Sequence, residues 1–322
     1  MIITRTPFRV SFAGGGSDLR EFYSKNGYGA VVSAAINKYM YIVIHPYFHD
    51  KIRLKYSKTE DVENVDEIQH PIVRECMRKA ALEKGVEIAS FADVPAGTGL
   101  GSSSAFTVGL LNALYAYKGK VVSKERLAAE ACEIEIDRLK EPIGKQDQYA
   151  VAYGNINYIK FNKDETVDIS PILLTEPARE KLEDRLCLYY IGGKRKAADI
   201  LNEQKRNMLD DEKFQNLRKM VMLADELRDV LNKENVDSLG GLLHKGWLYK
   251  KELASGISNE GIDGLYNMSL EYGASGGKLL GAGGAGFLLF HANNHESLQR
   301  HLGCRALPFN IDREGTKIIF YE

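Results

Sequence analysis

Residues 93–105 read Asp-Val-Pro-Ala-Gly-Thr-Gly-Leu-Gly-Ser-Ser-Ser-Ala, and no other stretch restricts the possible folds of this chain so strongly. Gly97, Gly99 and Gly101 allow positive φ and a close approach of backbone to a bound group, and Ser102, Ser103 and Ser104 stand where a helix begins. The spacing predicts that helix over residues 103–117, because Phe106, Leu110, Leu111 and Leu114 fall on one stripe. The alternating run 87–93 in front of it reads as a strand. A helix start carries unpaired N–H groups and a partial positive charge, so strand, glycine turn, serine cap and helix, in that order, make a site for phosphate. A flexible linker would explain the glycines and serines but not the strand before them or the helix after them. The run is neither a Walker A loop, since no Lys-Ser or Lys-Thr follows its last glycine, nor a dinucleotide fingerprint.

At 322 residues the chain has the length of about two domains, each with its own core. A net charge of −1 gives no general attraction to nucleic acid or to an anionic membrane. Cys76, Cys132, Cys187 and Cys304 are scattered without a C-x-x-C pair and read as reduced thiols, not as a disulfide frame or a zinc site. The first residues carry charge where a signal peptide needs an apolar core, and no run of 18 apolar residues occurs, so a cytoplasmic protein is expected.

Residues 2–13 alternate as a strand, with Ile3, Phe8, Val10 and Phe12 as candidates for burial, and break at Gly14-Gly15-Gly16-Ser17-Asp18. Asp18 is there a candidate cap for a following helix. Residues 39–47 and 51–55 resemble a hairpin, and 71–83 a helix. Residues 123–139 read as a second helix, capped by Ser123, with Glu133, Glu135 and Asp137 near its end. The polar loop Gly144-Lys145-Gln146-Asp147-Gln148 follows, and strand patterns at 155–161 and 167–172 complete a first domain, 1–175. Pro171, Pro177 and the charged run 179–185 read as a connection into a second domain, 176–322. It holds a strand at 186–191, the basic cluster Lys194-Arg195-Lys196, helices at 197–208, 213–231, 236–253 and 260–272, and a strand at 287–290. Gly281, Gly283 and Gly286 fit G-x-G-x-x-G, but a strand and not a helix follows them. That loop reads instead as backbone closing on something bound between the domains.

Three stretches, Arg5-Thr-Pro-Phe-Arg9 with Gly14-Gly15-Gly16, Pro95–Ala105 and Lys278–Gly286, resemble in order and distance the three motifs of the GHMP kinases, the family of galactokinase, homoserine kinase, mevalonate kinase and phosphomevalonate kinase. The resemblance implies an α+β fold of two domains, the N-terminal one like domain 2 of ribosomal protein S5 and the C-terminal one ferredoxin-like, with the active site between them. It implies ATP phosphates held by Pro95, Gly97, Gly99, Leu100, Gly101, Ser102, Ser103 and Ser104, and Mg²⁺ held by Ser103 and Glu135. Asp147 takes the place of the catalytic aspartate, twelve residues beyond Glu135, and Arg9 that of the basic residue beside it.

Phosphoryl transfer needs charge neutralised on the triphosphate and a hydroxyl held in line, which suits these residue types. Within the family, Gly14-Gly15-Gly16-Ser17-Asp18 departs from the Gly-Glu-His of galactokinase-type members. With Gly144–Gln148 it is similar to the heptose and fucose kinases, which act on an anomeric hydroxyl. That branch implies a sugar site at Gly15, Gly16, Ser17, Asp18 and Gly283, with Lys194 and Arg195 clamping the phosphate of a sugar phosphate such as heptose 7-phosphate. A kinase for a free sugar such as fucose, and a sensor of sugar and ATP that does no chemistry, are the alternatives.

Overall fold

A computed structural model describes residues 1–193 and 197–322. Its first strand, β1 (Ile2–Ala13), buries Phe8, Val10 and Phe12 as the alternation predicts, while Ile3 is half-buried. β2 (Tyr28–Pro46) is a single strand of 19 residues antiparallel to β1, which corrects the expected hairpin of 39–47 with 51–55. Its first half lacks alternation because residues 30–36 are all buried, so no polar face marks them. β3 (Ile52–Lys55) pairs instead with β4 (Thr59–Val62) and lies parallel to β5 (Val86–Ala92). β5 then covers the C-terminal half of β2, β6 (Ile156–Asn162) covers its N-terminal half, and β7 (Val167–Pro171) pairs with β6.

Helices α1 (Arg20–Asn26), α2 (Pro71–Ala80), α3 (Ser102–Tyr117), α4 (Lys124–Cys132) and α5 (Gln146–Tyr153) belong to this layer. α3 crosses β1 and β2 on one side and meets α2, α4 and α5 on others, so it is buried nearly all round and not along one stripe. Contact with the sheet is close: a Cβ on Gly109 would lie 2.7 Å from Thr6 Oγ1. Ser123 caps α4 by accepting from Arg126 N at 3.2 Å. The helix expected to continue to residue 139 changes character at Glu133–Arg138, which is a π-helix. The wider turn leaves both Ile134 and Glu135 facing the interior, the kind of local irregularity that recurs at functional sites.

The run 179–185 is not a connection but part of α6 (Glu176–Arg185), with Pro177 in the first turn, where its missing N–H costs nothing, and Ala178 and Leu182 buried. After α6 the chain forms β8 (Leu186–Gly192), α7 (Ala197–Asn207), α8 (Asp211–Asn232), α9 (Leu239–Lys251), α10 (Glu260–Glu271), β9 (Ala274–Leu279), β10 (Gly286–Ala292), α11 (His295–Leu302) and β11 (Arg305–Pro308). These strands make a second, antiparallel sheet in the order β11-β8-β10-β9. The last strand, β12 (Lys317–Tyr321), departs from the reading of 176–322 as one unit, because it returns to the first sheet and pairs with β1. α8 and α9 also pack on β1, so one apolar core runs from Phe8 to Ile311 through both parts.

Candidate active site

The glycine run lies between β5 and α3, as the sequence requires. Gly99 (φ +84°) and Gly101 (φ +73°) have conformations that other residues adopt at a cost, and both are crowded. A Cβ on Gly99 would lie 2.6 Å from Leu280 O, and one on Gly101 3.2 Å from Asp147 Oδ2. Gly97, Gly99, Gly101, Ser102 and Ser103 line a cleft of about 240 Å³. Leu100 is buried beneath it, its carbonyl accepting from Arg9 N at 3.0 Å. Pro95 stands outside the cleft lining, exposed, with its carbonyl taken by Thr98 Oγ1 at 2.9 Å.

Arg9 on β1 and Asp147 in the first turn of α5 face each other in that cleft. Arg9 Nε donates to Oδ1 and Nη2 to Oδ2, each at 2.7 Å, while Nη1 donates to Gly99 O at 2.6 Å. The guanidinium thus fixes the aspartate and the glycine loop together, with Asp147 near the positive end of a short helix. Gly15, Gly16 and Asp18 line the same space. Asp18 does not cap α1, which starts after Leu19 without a side-chain cap. It accepts instead from Gly16 N at 2.9 Å and from Gln146 N and Nε2 at 3.2 Å each. Burial, and then the charge of Asp147, raise its pKa above the ordinary carboxylate range. Ser17 is turned away, its hydroxyl donating to Ala30 O and accepting from Ala30 N, both at 3.0 Å.

Glu135 lies directly behind the serines and is fully buried. It accepts from Ser103 Oγ at 2.6 Å, Ser104 Oγ at 2.9 Å and Gln148 Nε2 at 2.7 Å. Burial raises its pKa, partly offset by these donors, and none of its hydrogen bonds comes from a cation. A hydroxyl at the cleft wall backed by an uncompensated carboxylate is a set of hard oxygens suited to Mg²⁺. Ser11 Oγ and Gln146 Oε1, also lining the cleft, are buried without a hydrogen-bond partner, which leaves further oxygens for a bound group. Among the described residues no cluster of three His, Cys, Asp or Glu side chains offers a different metal site.

Two lysines that line the cleft escaped the sequence reading as site candidates, Lys250 of α9 and Lys278 of β9. A signal was there for the first: Leu243, Trp247 and Lys250 share one helical face, and a lysine on an otherwise buried stripe needs a reason. Gly283, expected near substrate, packs instead against the backbone of Ile257, where a Cβ would come within 2.7 Å of its Cα. The adjoining Gly281 and Ala282 are the loop residues that line the cleft. Lys194 and Arg195 lie outside the described residues.

Known proteins share the chain's two-part frame. The family model for the GHMP kinases N-terminal domain matches residues 69–155, and the model for their C-terminal domain matches residues 227–308. The D-glycero-alpha-D-manno-heptose 7-phosphate kinase of Campylobacter jejuni is 28% identical over 98% of both chains. The bifunctional fucokinase/GDP-fucose pyrophosphorylase of Arabidopsis thaliana is 28% identical over 90% of this chain and 30% of its own length. A crystal structure of a D-glycero-D-manno-heptose 1-phosphate kinase from Bacteroides thetaiotaomicron superposes with a TM-score of 0.82 at 24% identity, covering all of both chains. Glycine cradle, buried carboxylate and Arg9–Asp147 pair stand on the two-domain frame these proteins share, and the chain belongs to the GHMP kinases.

Proposed function

We propose that this protein transfers the γ-phosphoryl group of ATP to the anomeric hydroxyl of D-glycero-D-manno-heptose 7-phosphate. The observation that carries the reading is the two-point hold of Arg9 on Asp147 in the cleft, against Gly101 at the serine end of the cradle. The full-length similarity to a heptose 7-phosphate kinase supports the choice of sugar.

In this reading the N-terminus of α3 and the loop from Gly97 to Ser104 hold the ATP phosphates through backbone N–H groups. Ser103 and Glu135 hold Mg²⁺, which supplies charge neutralisation on the triphosphate when bound. Asp147 accepts the proton of the attacking hydroxyl, and Arg9 keeps its carboxylate aimed at that hydroxyl. Asp18, buried and oriented by Gln146, accepts hydrogen bonds from sugar hydroxyls. Lys194 and Arg195 are the proposed holders of the sugar's own phosphate, on sequence chemistry alone.

The test is an ADP-release assay over heptose 7-phosphate, mannose 6-phosphate, free heptose, fucose and galactose. Turnover highest with heptose 7-phosphate is expected. Turnover confined to fucose would replace the sugar phosphate with a free sugar and leave the kinase reading intact.

A further inference from the structure

We infer that Lys250 and Lys278 form a second cationic wall of the cleft that grips the phosphoryl group while it is transferred. This rests on the kinase reading above. The second-domain lysines would contact the peripheral oxygens of that group beside the point where the second domain packs on the cradle.

Both side chains line the cleft and both are almost wholly buried. Their partners are carbonyls: Lys250 Nζ donates to Leu279 O at 2.8 Å and Gly281 O at 2.6 Å, and Lys278 Nζ to Phe12 O at 3.1 Å. A carbonyl satisfies an N–H but does not cancel a charge, and each ammonium has three donors, so donors remain on both. The charged groups that act on them make matters worse. Lys250 feels Lys278 and Arg9, and Lys278 feels Arg9, all positive. Burial first, and these neighbours second, hold Lys250 far below the ordinary lysine range and Lys278 down to about 7. Desolvated like charges at one wall cost stability unless an anion joins them. Asp147, in the same cleft, already has both oxygens on Arg9.

Position decides which anion. Gly281, whose carbonyl takes Lys250, packs on the cradle itself, since a Cβ there would lie 2.5 Å from Gly99 Cα. The carbonyl of Gly99 in turn takes Arg9 Nη1 at 2.6 Å. The lysines therefore flank the place where cradle, Arg9 and Asp147 converge. The phosphate at the far end of a heptose 7-phosphate would sit a whole sugar away from that point. In the transfer, the bond from γ-phosphorus to the β–γ bridging oxygen breaks and one from phosphorus to the sugar oxygen forms. The hydroxyl proton passes to Asp147 and ADP leaves. The lysines give hydrogen bonds and charge to the remaining phosphoryl oxygens and exchange no proton.

Lys250→Met and Lys278→Met test this, with Lys278→Gln keeping a donor toward Phe12 O should the Met variant fold poorly. Expected is a fall in kcat of about 10²–10³-fold in each, the usual cost of one lost oxyanion donor. KM for ATP and for the sugar phosphate should stay within about threefold. Binding with MgADP alone should persist, whereas the extra affinity that the parent gains from aluminium fluoride with MgADP and sugar phosphate should vanish. A raised KM for the sugar phosphate with kcat unchanged would overturn the inference in favour of a substrate-phosphate clamp. Loss of MgADP binding together with a lower melting temperature in all three variants would overturn it in favour of a structural role. A parent enzyme that releases ADP with no sugar would count against the kinase reading itself, and an active parent with equally active variants against this inference alone.

Discussion

Arg9 Nε and Nη2 meet Asp147 Oδ1 and Oδ2 at 2.7 Å each, across 138 residues of sequence, and Arg9's remaining nitrogen ties the pair to Gly99 O. Asp147→Asn removes the proton acceptor while keeping the shape. It should lower kcat by about 10²–10⁴-fold with MgADP affinity nearly unchanged, as read by steady-state kinetics and a nucleotide titration. A kcat within about threefold of the parent would remove Asp147 from the chemistry.

Arg9→Lys keeps the charge but cannot make the planar fork or reach Gly99 O at the same time. A loss of about 10-fold or more in kcat/KM is expected, because both the aspartate and the loop lose their common anchor. Full activity in this variant would mean that charge alone matters at this position.

Glu135→Gln should raise the Mg²⁺ concentration needed for half-maximal rate by roughly tenfold, since it removes the charge behind Ser103. Stability should move the other way. The folded-state pKa of Glu135 lies above its ordinary value, so the buried ionised carboxylate destabilises the fold above that pKa and does so no longer below the unfolded one. At pH 7 the urea midpoint of the variant should equal or exceed the parent's, and any advantage should disappear in acid. An unchanged Mg²⁺ dependence would separate Glu135 from the metal.

The cradle and its place between strand and helix were legible in the sequence because glycine conformation and helix capping are local properties. Arg9, Asp147 and Glu135 were legible only through the order and spacing of motifs, since nothing local says that residues 9 and 147 meet. Lys250 was legible from its buried helical face and was missed, whereas Lys278 carries no local mark, since its partner is Phe12 O of the first domain. The first half of β2 was missed for a related reason: covered on both faces, it shows no alternation. Residues 179–185 misled because charge and a proline suggest a connection, although Pro177 fits a helix start. The return of β12 to β1 is a long-range pairing with no local mark.

Gly101→Ala forces a φ of +73° on a residue with a side chain and places the methyl 3.1 Å from Arg9 Cγ. The fold should lose about 1–3 kcal/mol in urea unfolding, and KM for ATP should rise because the loop can no longer sit against the Arg9–Asp147 pair. A variant as stable as the parent would show that the loop shifts freely.

Burial first and Arg9 second push the Lys278 ammonium down to about 7. Because the lysines act on the group being transferred and not on bound substrate, kcat and kcat/KM should both fall as pH rises above about 7. The alkaline fall should be absent from the residual activity of Lys278→Met. The same shift has a stability sign: between about 7 and the ordinary lysine range the unfolded chain binds the extra proton, so this group makes the fold more stable as pH rises there.

The most direct test of the account is the ³¹P and ¹³C NMR spectrum of the product formed from ATP, Mg²⁺ and D-glycero-D-manno-heptose 7-phosphate. The account predicts a second phosphorus resonance coupled to C1 of the sugar, formed in step with ADP and lost with Asp147→Asn. ATP consumption no faster than in a blank without sugar, or phosphate on a carbon other than C1, would contradict it.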